Sequence, residues 1–145
     1  MKITIHEDLN ASETEISIVC PRMTDELREM IANIGLMGHT FAGRREGETF
    51  FVPVKDIYYF ETVDGSTFFY TEKDTYEASV RLYKIEECLQ NLRFARISKT
   101  VIVNLGKMQS IRQAENSRLV ATLTNGEKIL VSRQYVSEIK KKLGV

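Results

Sequence analysis

Apolar and polar positions along the chain alternate in many short β-type runs, interrupted by three stretches with helical spacing. Met1–Ile5 (MKITI) and Glu15–Val19 (EISIV) are β-branched runs flanking a polar Asp8–Thr14 stretch, which predicts a hairpin. After Pro21, Thr24 is positioned to cap a helix whose Leu27, Met30, Ile31 and Ile34 fall at i, i+3, i+4 and i+7, with Gly35 as its stop. That stripe, continued by Leu36, Met37 and Phe41, needs a cover, either the sheet of the same chain or a second copy. Arg44–Glu48 (RREGE) reads as a turn with a solvated basic pair. From Thr49 the runs TFFVPV, DIYYFETV and STFFYT are β in character; Pro53 marks an edge or strand end and Asp64-Gly65 a tight hairpin. Tyr76–Ser79 predicts a short strand, and Arg81–Leu89 a helix facing inward through Leu82, Ile85 and Leu89.

The stretch Arg93–Leu105 (RFARISKTVIVNL) organises the rest. Phe94, Ile97, Val101 and Val103 are placed to face a core, while Arg93, Arg96, Ser98, Lys99 and Thr100 crowd around one polar turn. Beyond it, Lys107–Arg112, Ser117–Leu123 and Glu127–Val131 read as strands, the last two joined by the hairpin signal Asn125-Gly126. Ser132 then caps a final helix with Val136, Ile139 and Leu143 inward, and Lys140–Lys142 suit the negative end of its dipole. The pattern predicts a mainly β chain of small antiparallel sheets with short helices, preceded by a β-β-α segment.

Composition narrows the class. The 145 residues fit one globular domain with a small appended piece. No apolar run approaches the roughly 18 residues that a membrane helix needs, and the acidic N-terminal stretch lacks the apolar core of a signal peptide, so a cytoplasmic protein is expected. Cys20 and Cys88 lack metal-type spacing and read as reduced, buried thiols. The zero net charge conceals an asymmetry: residues 1–83 carry 8 Lys+Arg against 15 Asp+Glu, and residues 84–145 carry 12 against 5. A basic half suits a polyanion, although the two halves can equally neutralise each other. Tyr58, Tyr59, Phe60, Phe68, Phe69 and Tyr70 have the composition of a base-stacking platform, but their acidic flanks favour core and cross-strand pairs. His6 and His39 have no Cys, Ser or Asp at a spacing that would make a catalytic arrangement, and no Gly-rich phosphate loop is present, so no enzyme activity, cofactor, metal or small-molecule ligand is expected.

Arg133 is informative because it sits at a helix start, against the local positive potential, where a cation is a few tenths of a kcal/mol worse than a carboxylate. With the Ser132 hydroxyl and the unpaired N–H groups of the first turn, it forms a site for a phosphate and a guanine edge; the alternative is an ion pair with Glu138.

Three blocks in order, IYYFETVDGSTFFYT, FARISKTVIVNL and TNGEKILVSRQYVSEIK, resemble the LytTR DNA-binding domain family of bacterial transcription regulators over about Thr49–Leu143. The resemblance implies small sheets that insert turns from one sheet end into successive major grooves. It places Ser66 and Thr67 at a first DNA contact, with threonine where some members have histidine. Lys99 stands at a second, flanked by Ser98 and Thr100 as phosphate ligands, and Arg133 at a third. Arg96 and Ser132 join the predicted DNA-binding set through the same turn and helix start.

Residues 1–48 are too short for the receiver module that precedes this domain in most such regulators. The division expected is therefore an N-terminal β-β-α segment, 1–48, for dimerisation or for a membrane-bound partner protein, and a DNA-binding domain, 49–145. The function implied is a stand-alone regulator of double-stranded DNA, binding at paired or direct-repeat half-sites. A protein-interaction module docking its basic half on an acidic partner is the alternative.

Overall fold

The computed structural model describes residues 1–36, 39–90 and 92–145. In chain order it has α1 (Asp25–Leu36), β1 (Thr40–Arg45), β2 (Glu48–Pro53), β3 (Tyr59–Val63), β4 (Ser66–Tyr70), β5 (Thr75–Ala78), α2 (Leu82–Leu89), β6 (Phe94–Arg96), β7 (Val101–Asn104), β8 (Met108–Gln113), β9 (Leu119–Leu123), β10 (Lys128–Val131) and α3 (Arg133–Leu143). Among the described residues ten strands form two antiparallel sheets, one ordered β2-β1-β5-β4-β3-β7-β6 and one ordered β10-β9-β8. The mainly β class with short helices is as the pattern predicts.

The larger sheet is covered on both faces at its centre. Strand side chains alternate across the sheet, so Phe60, Ile102 and Phe94 point to a core shared with Phe69, Ile57 and the Leu82, Ile85 and Leu89 face of α2. Their neighbours Tyr59, Val103 and Ala95 point to a second core with Leu119, Leu123, Val131 and Ile139 of the smaller sheet and α3. This double coverage explains why Ile102 is as buried as Val103. The expected core residues Phe94, Ile97 and Val103 are buried, and Val101 is half-buried. Asn104 is buried between the layers with both amide ends used: its Nδ2 donates to the Ile57 carbonyl at 2.9 Å and its Oδ1 accepts from Gly106 N–H at 2.9 Å.

The aromatic-rich hairpin is structural. Tyr59 stacks on Tyr70 at 4.5 Å, and Phe60 meets Phe69 at 5.5 Å. Asp64 and Gly65 turn it with positive φ, as does Gly126 between β9 and β10.

Several expectations are corrected. Neither Met1–Ile5 nor Glu15–Val19 is a strand. Both run unladdered, with Ile3, Ile5, Ile16 and Val19 exposed, because no described strand supplies hydrogen-bonding partners. Only the helix of the β-β-α segment is observed. Its Thr24 cap is present, with Leu27 N–H donating to Thr24 Oγ1 at 3.1 Å, but the helix continues through Gly35 to Leu36. Leu27, Met30 and Ile34 are half-buried and Ile31 is exposed. Met37 lies outside the described residues. Cys20 and Cys88 are exposed rather than buried, since both lie outside the two cores.

The predicted break at residue 48 falls inside a hairpin. β1 pairs with β2 through Arg45↔Glu48, and with β5 through Arg44↔Glu77, so the sheet extends back to Thr40. The basic pair of that hairpin is engaged rather than simply solvated: Arg45 pairs with Asp74 and lies over the Phe50 ring at 4.9 Å, and Arg44 reaches Glu77 at 3.5 Å. β1 itself escaped the sequence pattern because of Gly43. A Cβ there would stand 2.4 Å from the Phe69 ring, so only glycine lets the strand cross so closely.

Candidate nucleic-acid interface

Three strand termini meet at one end of the larger sheet. β3 ends where β7 begins, through Glu61↔Val101, and Thr62 N–H donates to the Thr100 carbonyl at 2.9 Å. β4 begins opposite the end of β3, Thr67↔Thr62, so the β3–β4 and β6–β7 turns leave from the same edge. α3 starts there too, because Ser132 N–H donates to the Ile97 carbonyl at 2.8 Å. A helix start from the smaller sheet is thereby fixed against the Ser98–Thr100 turn.

An open depression results, lined by Ser98, Lys99, Thr100, Ser132, Arg133 and Gln134. Five of these were predicted; Gln134 was not, and its signal was only its place beside Arg133 at an exposed helix start. Lys99 and Arg133 are exposed, and no Asp or Glu of the described residues lies within ion-pair distance of either. The alternative partner for Arg133 is engaged elsewhere, since Glu138 accepts Lys142 at 3.5 Å. Ser132 occupies the cap position of α3 without a side-chain hydrogen bond to the helix; the Tyr135 N–H donates to the Ser132 carbonyl at 2.9 Å, and the Arg133 and Gln134 N–H groups are left uncapped by the hydroxyl. The turn is internally ordered: Thr100 N–H donates to Ser98 Oγ at 3.2 Å.

The other predicted residues are placed differently. Ser66 and Thr67 lie at the same sheet end but do not line the depression. Thr67 is 7% exposed, with its Oγ1 3.5 Å from that of Thr62. Arg96 has its guanidinium engaged at the surface, by Glu86 Oε2 (2.5 Å) and the Lys99 carbonyl (2.7 Å), and does not line the depression. Arg93 sits at the far end of β6 and pairs with Glu29 of α1 at 2.7 Å, away from the turn where the sequence had grouped it.

Toward the opposite ends of these strands, two tyrosines, Tyr58 and Tyr59, tie the larger sheet to the smaller. Tyr59 donates to Glu127 Oε1 at 2.6 Å, reaching the β9–β10 turn that leads through β10 to Ser132. Burial, reinforced by Glu127, pushes the Tyr59 phenol far above its ordinary range. Tyr70, donating to Glu61 at 3.2 Å, is pushed up to about 12 by burial and by that carboxylate. Thr124 adds a bond to the Tyr58 hydroxyl at 3.1 Å.

The LytTr DNA-binding domain family matches residues 47–144, which contain every residue lining this depression. The chain belongs to the LytTR DNA-binding domain family. A solved LytTr DNA-binding domain from Bacillus cereus superposes with a TM-score of 0.70 at 26% identity, covering 74% of this chain and 98% of that one. Two uncharacterized HTH-type transcriptional regulators of Staphylococcus aureus are similar over almost their whole length. The one from strain NCTC 8325 is 26% identical, covering 100% of this chain and 99% of the relative; the one from strain MSSA476 is 28% identical, covering 94% and 95%. Despite those relatives' names, this LytTR chain has no helix-turn-helix among its described residues: strands separate each of its three helices from the next. None of the described helices is long and apolar enough to cross a membrane.

Proposed function

We propose that this chain is a transcription regulator that reads duplex DNA in the major groove through the Ser98–Thr100 turn and the start of α3. Lys99 and Arg133 donate to guanine O6 and N7, each contributing about 1–3 kcal/mol of discrimination. Gln134, beside Arg133, has the amide that pairs with adenine N6 and N7. Ser98, Thr100, Ser132 and the Arg133 and Gln134 N–H groups at the start of α3 bind phosphate and set the register. The observation that carries this reading is the convergence of two exposed cations without carboxylate partners on a helix start fixed to a turn. The regulatory names of the full-length Staphylococcus aureus relatives support it.

The test is selection of a binding site from a random duplex library, followed by fluorescence anisotropy on the selected and a scrambled duplex. The wild type is expected to prefer the selected duplex by about 10³-fold or more at physiological salt. Arg133→Ala should remove much of that preference. A protein that enriches no sequence and binds all duplexes equally, with binding lost alike as salt rises, is a basic interaction module and not a regulator of this kind.

A further inference from the structure

Arg96 stands in the basic turn sequence as a natural phosphate ligand, yet its guanidinium is turned away from the depression and its side chain is only 18% exposed. Two of its nitrogens are already bonded. Nε meets Glu86 Oε2 at 2.5 Å, and Nη1 donates to the backbone carbonyl of Lys99 at 2.7 Å. Glu86 lies on α2, which is pinned to the sheet by buried Leu82, Ile85 and Leu89. An unbroken chain therefore runs from a packed helix through Glu86 and Arg96 to the peptide that carries Lys99.

We propose that Arg96 and Glu86 are positioning residues for DNA reading: the pair braces the Lys99 turn from behind, and Arg96 itself makes no phosphate contact. The physical case rests on what the turn lacks otherwise. Lys99 is an exposed, flexible cation on a turn of three residues, and its aim depends on the peptide beneath it. A guanidinium fork holding that carbonyl, itself held by a carboxylate, restricts the peptide to one orientation before DNA arrives, which lowers the ordering cost of binding. The same contact neutralises Arg96 with an acid close to a polyanion site, an arrangement that would weaken a direct phosphate ligand.

The inference rests on the DNA-reading surface proposed above, and its test separates the two. Anisotropy on the selected duplex across a salt series would compare wild type with Glu86→Ala, Arg96→Lys and Glu87→Ala. Glu87, on the same helix, pairs with Lys84 and not with Arg96, so its removal reports the bare effect of one fewer negative charge. As positioning residues, Glu86→Ala and Arg96→Lys each weaken the selected duplex roughly tenfold while leaving the salt slope unchanged, and Glu87→Ala binds as tightly as wild type or tighter. Thermal unfolding of each variant sets a measuring temperature below its transition, so that folded protein is compared throughout. If Glu86→Ala tightens binding, having released Arg96 to the phosphates, or if Arg96→Lys equals wild type, the positioning role is overturned. A wild type with no duplex preference would instead sink the DNA-reading surface itself.

Discussion

The two ends of the seven-stranded sheet treat their cations in opposite ways. At the end carrying the β1–β2 and β4–β5 turns, Arg45 is held by Asp74 between the Phe50 and Tyr76 rings, and Lys107 lies over Tyr58 at 4.9 Å beside Asp56, Glu72 and Asp74. At the other end Lys99 and Arg133 are exposed with no carboxylate at ion-pair distance among the described residues, and Arg96 nearby, which has an acid partner in Glu86, does not line the depression. Net charge is therefore a poor guide to binding in this molecule. What distinguishes Arg45 from Lys99 and Arg133 is that its donors are already engaged by an acid, and Lys107, though it has no ion pair, stands among carboxylates that repel a polyanion. Only a cation free of both gains fully by meeting a phosphate or a base edge.

The sharpest way to break this comparison is to mutate both ends. Lys99→Ala combined with Arg133→Ala should lower affinity for the selected duplex by about 100-fold or more, from two contacts of about 1–3 kcal/mol each. Arg45→Ala should leave it within about twofold and keep the salt slope, since a neutralised cation releases no counterions. Equal losses in the two variants, measured by anisotropy, would abolish the distinction.

Next in size is a change in the structural end alone. Gly43→Ala puts a Cβ into the Phe69 ring and should destabilise the fold by about 1–3 kcal/mol through overpacking, read as a lower denaturant midpoint. Duplex affinity of the remaining folded protein should be unchanged. A mutant as stable as wild type would remove β1 from the packed sheet.

The tyrosine bridge gives a pH signature. Tyr59 and Tyr70 are raised in the folded chain above the ordinary value of 10.0, Tyr70 to about 12. The folded state then holds phenolic protons that the unfolded state has lost, so stability is full below about pH 10 and falls as pH rises through the folded values. Urea midpoints measured from pH 8 upward should hold level to about pH 10 and then decline, and Tyr59→Phe should flatten the decline while lowering the plateau by about 1 kcal/mol for the lost hydrogen bond.

The smallest effect is expected at Thr67→Val, which should alter affinity by less than about twofold because a buried hydroxyl reads no base. A tenfold loss would extend the reading surface to the β3–β4 turn and sharpen the contrast between the ends.

Much of the architecture was legible from local pattern. The Asp64-Gly65 and Asn125-Gly126 turns announce their hairpins because positive φ is adopted at Asp64, Gly65 and Gly126, where those residue types are favoured. The inward faces of α2 and α3 follow from 3.6-residue spacing, and Lys99 and Arg133 stand out as cations in a polar turn and at a helix start. Arg96 shows where this kind of reading stops. In sequence it is one more basic residue of the turn, and only the arrival of α2 against β6 gives it a carboxylate partner. Gln134 was missed for the converse reason, being an ordinary amide until α3 is docked on the Ile97 carbonyl.

By itself, then, the sequence determined the mainly β character, the hairpin turns, the faces of α2 and α3 and the resemblance to the LytTR family, all properties carried by neighbours a few residues apart. Only the tertiary structure decided that MKITI and EISIV remain without a ladder, that β1 joins the sheet across the apparent boundary, and that Ile97 and Ser132 meet. The reason is physical: a β-run becomes a strand only when another strand accepts its hydrogen bonds, and a cation becomes available or engaged only when the chain brings, or fails to bring, an acid to it.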